Sequence, residues 1–305
     1  MKVLITGVTG FIGSHAAKLF VEAGHSVRGL SRRGAKGERE LQAVEYVEGV
    51  DIGDASTITA QMFEGIDVVL HLIGIIQESP GGQTFQRIHV DGTKNVIAAA
   101  KAANFQGRII YMSAIGSSAS SASEYSRTKA AAEELVRESG IAYTIFRPSL
   151  VIGPDGEFVQ QMGDLIKHGG LPIPVPFPVI PVPGSGENKF QPVWVDDLLN
   201  CVLIASTDPD SAGKTFEVGG GSQLTFNELL TAMAASMGVH KPLLHAPIAV
   251  LSIAASVMES VLPKPPVTRD QLKNLKVDNI TSSHAISEKF GIHPLDFDQM
   301  LAKIG

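Results

Sequence analysis

Short apolar runs alternate with longer stretches of helical periodicity through the first half of the chain. Residues 3–5, 27–30, 68–70, 108–111 and 143–146 are strand-like and bounded by turn residues. Residues 14–23, 90–103 and 126–138 read as amphipathic helices. In the last of these, Ala130, Glu133, Glu134 and Arg137 mix small and charged side chains at helical spacing. Strand and helix alternating at this pitch predicts βαβ units, hence a parallel sheet covered on both faces and joined by right-handed crossovers.

Beyond Arg147 the pattern changes. Residues 171–183 read LPIPVPFPVIPVP, six prolines in thirteen positions. Such a run excludes a helix or a central strand and predicts an extended segment over a pocket or hinge. Helices are expected again at 195–206 and 226–237, with a strand at 215–218 between them. The expected architecture is α/β: a Rossmann-type doubly wound parallel sheet over residues 1–150, followed by a smaller α/β substrate or partner domain over 151–305. Some elements of the second part are expected to return to the first sheet. The most apolar stretch, residues 247–262, contains Glu259 and falls short of the ~20 residues a membrane span needs. It reads as a buried or groove-lining helix, or as one facing a membrane or partner.

Charge narrows the choice of partners. Twenty-five basic and 31 acidic residues leave a net charge of −6, which argues against a nucleic-acid binder. A single cysteine, Cys201, excludes an internal disulfide framework. The nine histidines show no metal-ligand spacing, so no metal site is expected. The chain enters a strand at once from Met1, without the features of a secretory leader, and a cytoplasmic location is expected.

The strongest local signal is Thr6-Gly7-Val8-Thr9-Gly10-Phe11-Ile12-Gly13, between the first strand and the first helix. Glycines at 7, 10 and 13 allow a tight turn, close approach of backbone to a diphosphate, and close packing of helix on strand. The helix N-terminus then offers free N–H groups to the phosphates. The second strand ends in Leu30-Ser31-Arg32-Arg33, with no acidic residue to bind a ribose 2′-hydroxyl. Arginine suits a 2′-phosphate, so NADP(H) is expected over NAD(H), with Arg32 the main contact and Arg33 its helper.

A second constellation carries acid–base chemistry. Tyr125 and Lys129, at i and i+4, share one face of a helix that opens after the strand ending at Tyr111-Met112-Ser113. A free tyrosine is a poor base near neutrality, and a nearby ammonium stabilises its phenolate. Lys129 is therefore expected to bring Tyr125 into useful range, with Ser113 bonding a substrate carbonyl or hydroxyl.

With these motifs in this order, the chain resembles the short-chain dehydrogenase/reductase superfamily. The carriers are T-G-x-x-G-x-x-G at 6–13 and Y-x-x-x-K at 125–129. The resemblance implies further cofactor contacts: Asp51-Ile52 at the adenine, Leu72-Ile73-Gly74 after the fourth strand, Met112, and Arg147-Pro148-Ser149, whose backbone flanks the nicotinamide. Pro192-Val193-Trp194-Val195-Asp196-Asp197 is similar to an element of the extended epimerase/dehydratase subfamily. Met112–Gly116 followed so soon by Tyr125, and Phe190-Gln191-Pro192-Val193, resemble the atypical group around an accessory subunit of respiratory complex I. Extended epimerases usually carry asparagine where this chain has His89.

Two functions follow. One is an NADP-dependent oxidoreductase or epimerase-like enzyme acting on an unidentified small molecule. The other is a non-catalytic NADPH-binding protein, peripheral to a respiratory membrane complex. A homodimer is compatible with either. Gly213-Lys214-Thr215 imitates the end of a nucleotide-triphosphate loop, but the required first glycine is Asp208 and a strand follows where a helix should. His71 and His89 read as structural, Cys201 as core packing, and Asp196 and Asp197 as a helix start.

Overall fold

The computed structural model describes residues 1–34, 41–169, 178–262, 265 and 267–304. Its centre is a parallel sheet of seven strands: β1 (Lys2–Thr6), β2 (Ser26–Leu30), β3 (Val44–Val47), β4 (Val68–His71), β5 (Arg108–Met112), β6 (Ala142–Pro148) and a last strand, Lys214–Val218. Spatial order, with that last strand as β11, is β11-β6-β5-β4-β1-β2-β3. Chain direction across the sheet therefore reverses between β1 and β4. In open α/β sheets ligands bind outside the carboxyl ends of the strands at such a point.

Three helices of the first half cover the sheet: α1 (Phe11–Glu22), α2 (Gly92–Ala102) and α3 (Glu124–Arg137). Their apolar residues feed two cores, one on each face. Phe20, Ile5 and Phe146 belong to the first, Leu4, Val96 and Val136 to the second. The strands are buried on both faces, which explains why they read as continuous apolar runs rather than alternating ones. The exceptions are the two edge strands, Lys214–Val218 and β3, and the second, of sequence VEYV, is one that periodicity did not single out. A π-helical turn at Gln86–Asp91 precedes α2 and carries His89 inward.

The rest of the chain adds β7 (Val151–Ile152), α4 (Glu157–His168), β8 (Ile180–Pro183), β9 (Lys189–Phe190), β10 (Val193–Trp194), α5 (Val195–Thr207), β12 (Leu224–Thr225), α6 (Phe226–Ser236) and β13 (Leu243–Ala246). Helices α7 (Ile248–Val261), α8 (Arg269–Asn274), α9 (Ala285–Glu288) and α10 (Phe297–Ile304) complete it. Helix α5 packs against α1 and strands of the main sheet, and β11 pairs with β6 from Lys214–Thr144 to Val218–Pro148. Elements from beyond residue 150 thus complete the first layer.

Most of the proline run, residues 171–177, lies outside the described residues. Its end is β8, which among the described residues pairs in parallel with β13 alone. Ile180 and Gly184 donate their N–H groups to Pro242 and Ala246. Pro181 and Pro183, at the alternating positions, turn their missing donors to the open side, the one place a strand tolerates them.

Candidate active site

At the first turn, Gly7 adopts φ +77°, and a side chain there would meet Ile73 Cγ1 at 2.9 Å. A Cβ on Gly13 would collide with the Gly7 carbonyl. Gly10 caps α1 without a side chain, leaving the helix N-terminus open at the reversal point of the sheet. Backbone can approach a diphosphate there as a dinucleotide needs. The ring of Phe11 lies against Gly153, which has no room for a Cβ, and against Gly156, where a Cβ would be tight. Thr9 sits in the turn itself and Ile12 in the first turn of α1.

Ser31 is buried and accepts the Gly34 N–H, closing the turn after β2, while Arg32 and Arg33 are exposed. Asp51 accepts from Gly53 N–H at 2.9 Å and from Arg87 Nη2 at 2.8 Å. Burial opposes its ionisation, yet the bonds from Arg87 and Gly53 and the charges of Arg87 and Arg32 hold its carboxyl below the usual range. Arg87, on the π-helical turn, was not singled out by any motif. Ile52 packs where a side chain on Gly92 would be, and its carbonyl accepts from Asn95.

Beneath the site two histidines bind the elements together. Thr93 donates to the His89 carbonyl, so it accepts from His71 Nε2 at 2.9 Å. His71 Nδ1 then accepts from Thr6 Oγ1 at 2.8 Å, and Thr6 accepts the Leu72 N–H. Thr128 donates to the carbonyls of Glu124 and Tyr125, so it accepts from His89 Nδ1 at 2.9 Å. That leaves His89 Nε2 to accept the Ile75 N–H. Both rings are neutral: burial, reinforced by the Lys129 charge, lowers His71 to about 3 and His89 to about 2. Neither is a free acid or base.

Lys129 is buried. Its Nζ donates to the Met112 carbonyl at 2.9 Å and lies 5.1 Å from the Tyr111 ring centre. It would meet a side chain on Gly74 at 2.9 Å, so the glycine after β4 makes room for the ammonium. Burial lowers Lys129 to about 8, against the pull of Glu133. Tyr125, one turn back on α3, is half-buried, with its ring edge-on to His89 and Phe85. Burial raises its phenol to about 12, so in this structure Tyr125 holds its proton. Desolvation is the dominant influence on that phenol.

Ser113 follows β5 directly. It is buried, and its hydroxyl donates to Glu133 Oε1 at 2.5 Å with Ser117 Oγ at 3.0 Å. In this arrangement the hydroxyl proton points to Glu133. Glu133 in turn holds the Arg147 fork, Nε–Oε1 2.8 Å and Nη2–Oε2 2.7 Å, and accepts from Arg137. Burial opposes its charge, but Arg147, Ser113 and Arg137 keep the Glu133 carboxyl below its usual range. The Arg147 side chain is thus a brace between β6 and α3. The Pro148 carbonyl accepts from Ile115, and Ser149 Oγ donates to Asn279. Glu133 was read only as one charged helical position; Tyr125, Lys129 and Glu133 at successive i+4 steps were the signal for it.

The remaining candidates are structural. Asp196 accepts from Trp194 Nε1 and pairs with His15, while Asp197 accepts the Leu295 N–H. Burial raises the Cys201 thiol to about 12. Among the described residues no group of three or more His, Cys, Asp and Glu could hold a metal.

An open helix N-terminus at the reversal of a parallel sheet, beside a tyrosine and a buried lysine, defines an extended dehydrogenase-type Rossmann protein. The profile of the NAD dependent epimerase/dehydratase family matches residues 3–219, and the chain belongs to that family. It is 28% identical over 296 residues to NADH dehydrogenase [ubiquinone] 1 alpha subcomplex subunit 9, mitochondrial, of Arabidopsis thaliana, covering 92% of this chain and 71% of that one. It is 27% identical over 264 residues to 2-alkyl-3-oxoalkanoate reductase of Stenotrophomonas maltophilia, covering 78% and 76%. A UDP-glucose 4-epimerase from Thermotoga maritima, solved with UDP-glucose, shares the fold at TM-score 0.72 and 21% identity, covering 100% of this chain and 97% of that one.

Proposed function

We propose that the chain is an NADP(H)-preferring oxidoreductase or epimerase-like enzyme in which Tyr125 exchanges a proton with a substrate oxygen. The cofactor, when bound, supplies or accepts a hydride at the nicotinamide. The observation that carries this reading is the seat of the Lys129 ammonium between Gly74 and the Met112 carbonyl, after the ends of β4 and β5, one helical turn from Tyr125 on α3. Thr6–Gly13 hold the diphosphate, Asp51 and Ile52 line the adenine, and Leu72–Gly74 with Arg147–Ser149 flank the nicotinamide side. Lys129 holds the ribose and stabilises phenolate. A phenol that keeps its proton is suited to the reductive direction: Tyr125 gives its proton to the oxygen of a carbonyl as hydride arrives at carbon. Ser113 enters as part of the Glu133 brace rather than as a substrate contact.

The test is deuterium transfer from C4-deuterated NADPH to components of a metabolite extract. Tyr125→Phe is expected to lose label transfer by at least about 100-fold while keeping NADPH affinity. Absence of label with the unaltered protein, NADPH bound, removes the reading. Cofactor preference has its own check. Arg32→Ala is expected to weaken NADPH about 10-fold or more and leave NADH unchanged, as a lost charge-assisted phosphate contact would. An unchanged affinity ratio assigns both arginines to the solvent.

A second reading rests on α7. Val250, Ile253, Val257 and Val261 are between 59% and 73% exposed along one side of that helix. A bare apolar stripe of about three turns marks an interaction surface. Taken with the mitochondrial relative, it favours attachment of this protein to a membrane-bound complex. No helix of the described residues is long and apolar enough to cross a membrane.

A further inference from the structure

The first turn of α3, which presents Tyr125, is completed by a residue 145 positions further along the chain. A helix N-terminus leaves four N–H groups without intrahelical partners. In α3 all four are met. Ser123, the N-cap, accepts the Ser126 N–H on its side chain and donates its own N–H to Ser121 Oγ at 3.2 Å. The other two go to Asp270: Glu124 N–H to Oδ1 at 2.8 Å and Tyr125 N–H to Oδ2 at 3.1 Å. The Ser123 hydroxyl donates to the same carboxylate at 2.7 Å. Burial opposes its ionisation, but these three donors and Lys273 hold the Asp270 carboxyl below the usual range.

Asp270 belongs to α8, and α8 is itself anchored. Asn274 faces the Ser126 hydroxyl, and Glu259 of α7 accepts both the backbone N–H and the Nε of Arg269 at 2.7 Å. From the other wall of the cleft, Gln77 after β4 donates to the Pro265 carbonyl. The segment from α7 to α8 therefore grips both the loop after β4 and the start of α3. Ser123 alone would serve as an ordinary cap. The added carboxylate instead fixes the backbone of the one residue whose phenol must meet a substrate oxygen.

We propose that Asp270 is a positioning residue for Tyr125, so that the setting of the acid–base group depends on docking of the α7–α8 segment. This rests on the reading of Tyr125 as the proton donor. The mechanism is geometric, since the shift of the Tyr125 phenol is caused by burial. A displacement of an ångström or less at a reacting group is enough to cost about 100-fold in rate.

The experiment uses the full chain labelled with 3-fluorotyrosine, whose four tyrosines give four fluorine resonances. Tyr125→Phe assigns the relevant one. Asp270→Ala is expected to shift and broaden the Tyr125 signal while those of Tyr46 and Tyr143 stay in place. Asp270→Asn, whose amide oxygen still accepts, is expected to restore the signal in large part. With a substrate in hand, Asp270→Ala is expected to lower kcat by about 10- to 100-fold with KM within about threefold, and Asn to recover most of it. Should the alanine variant not fold, Asp270→Glu, one methylene too long, replaces it with the same expectation. An unmoved Tyr125 signal, or equal movement of every tyrosine, overturns the proposal. A selective shift without any turnover by the unaltered protein keeps Asp270 as the positioning residue and removes the enzyme reading.

Discussion

His71 and His89 show how much a residue's role depends on partners that sequence does not display. The chain marks both as buried structural histidines, and nothing in it names Thr6, Thr93, Thr128 or the Ile75 N–H as their partners. Because both stay neutral in the fold, at about 3 and about 2, each takes up a proton on unfolding below the ordinary histidine range. The unfolded chain then binds more protons, so stability falls as pH drops below about 6.5, by about 1.4 kcal/mol per pH unit for each histidine fully titrated in the unfolded state. His89→Asn, the residue usual in extended epimerases, removes one of the two. Its urea-unfolding free energy, followed between about pH 5 and 6, is expected to lose about one proton's worth of slope. An unchanged slope would mean that His89 is already protonated in the fold. The same limit applied at Ser113: its place after β5 was legible, but the commitment of its hydroxyl to Glu133 was not.

Elements were legible where periodicity was long. The helix expected over 247–262 is α7, but sequence could not say which of its sides would be covered. Among the fourteen residues of α7 only Ala255 is buried, and the apolar side faces outward. Ile253→Asp combined with Val257→Asp is therefore expected to leave the melting temperature within a few degrees, since neither side chain fills a core. If α7 is the attachment surface, the double variant loses about 10-fold or more of its partition into the membrane fraction. Unchanged fractionation removes that reading. The π-helical turn at Gln86–Asp91 was invisible to a 3.6-residue period, although it aims His89 and Arg87 to opposite tasks.

At the scale of the molecule, six of the seven sheet strands were present in the sequence pattern, and the edge strand Val44–Val47 was not. Glycine spacing and the Tyr125/Lys129 pair carried the two ends of the site because each is a local motif. The Glu133 brace and the Asp270 cap draw on residues that meet only when the sheet has closed. That closure has a direction in time. A ribosome releases Tyr125 long before β11 and before Asp270. A nascent chain of about half length thus carries a sheet short of its outermost strand and a helix with two unanswered donors at its start. Assembly of the cleft waits for the synthesis of α8, and a premature stop upstream of α8 yields a protein that has its glycine turn and its tyrosine but not the clasp between them.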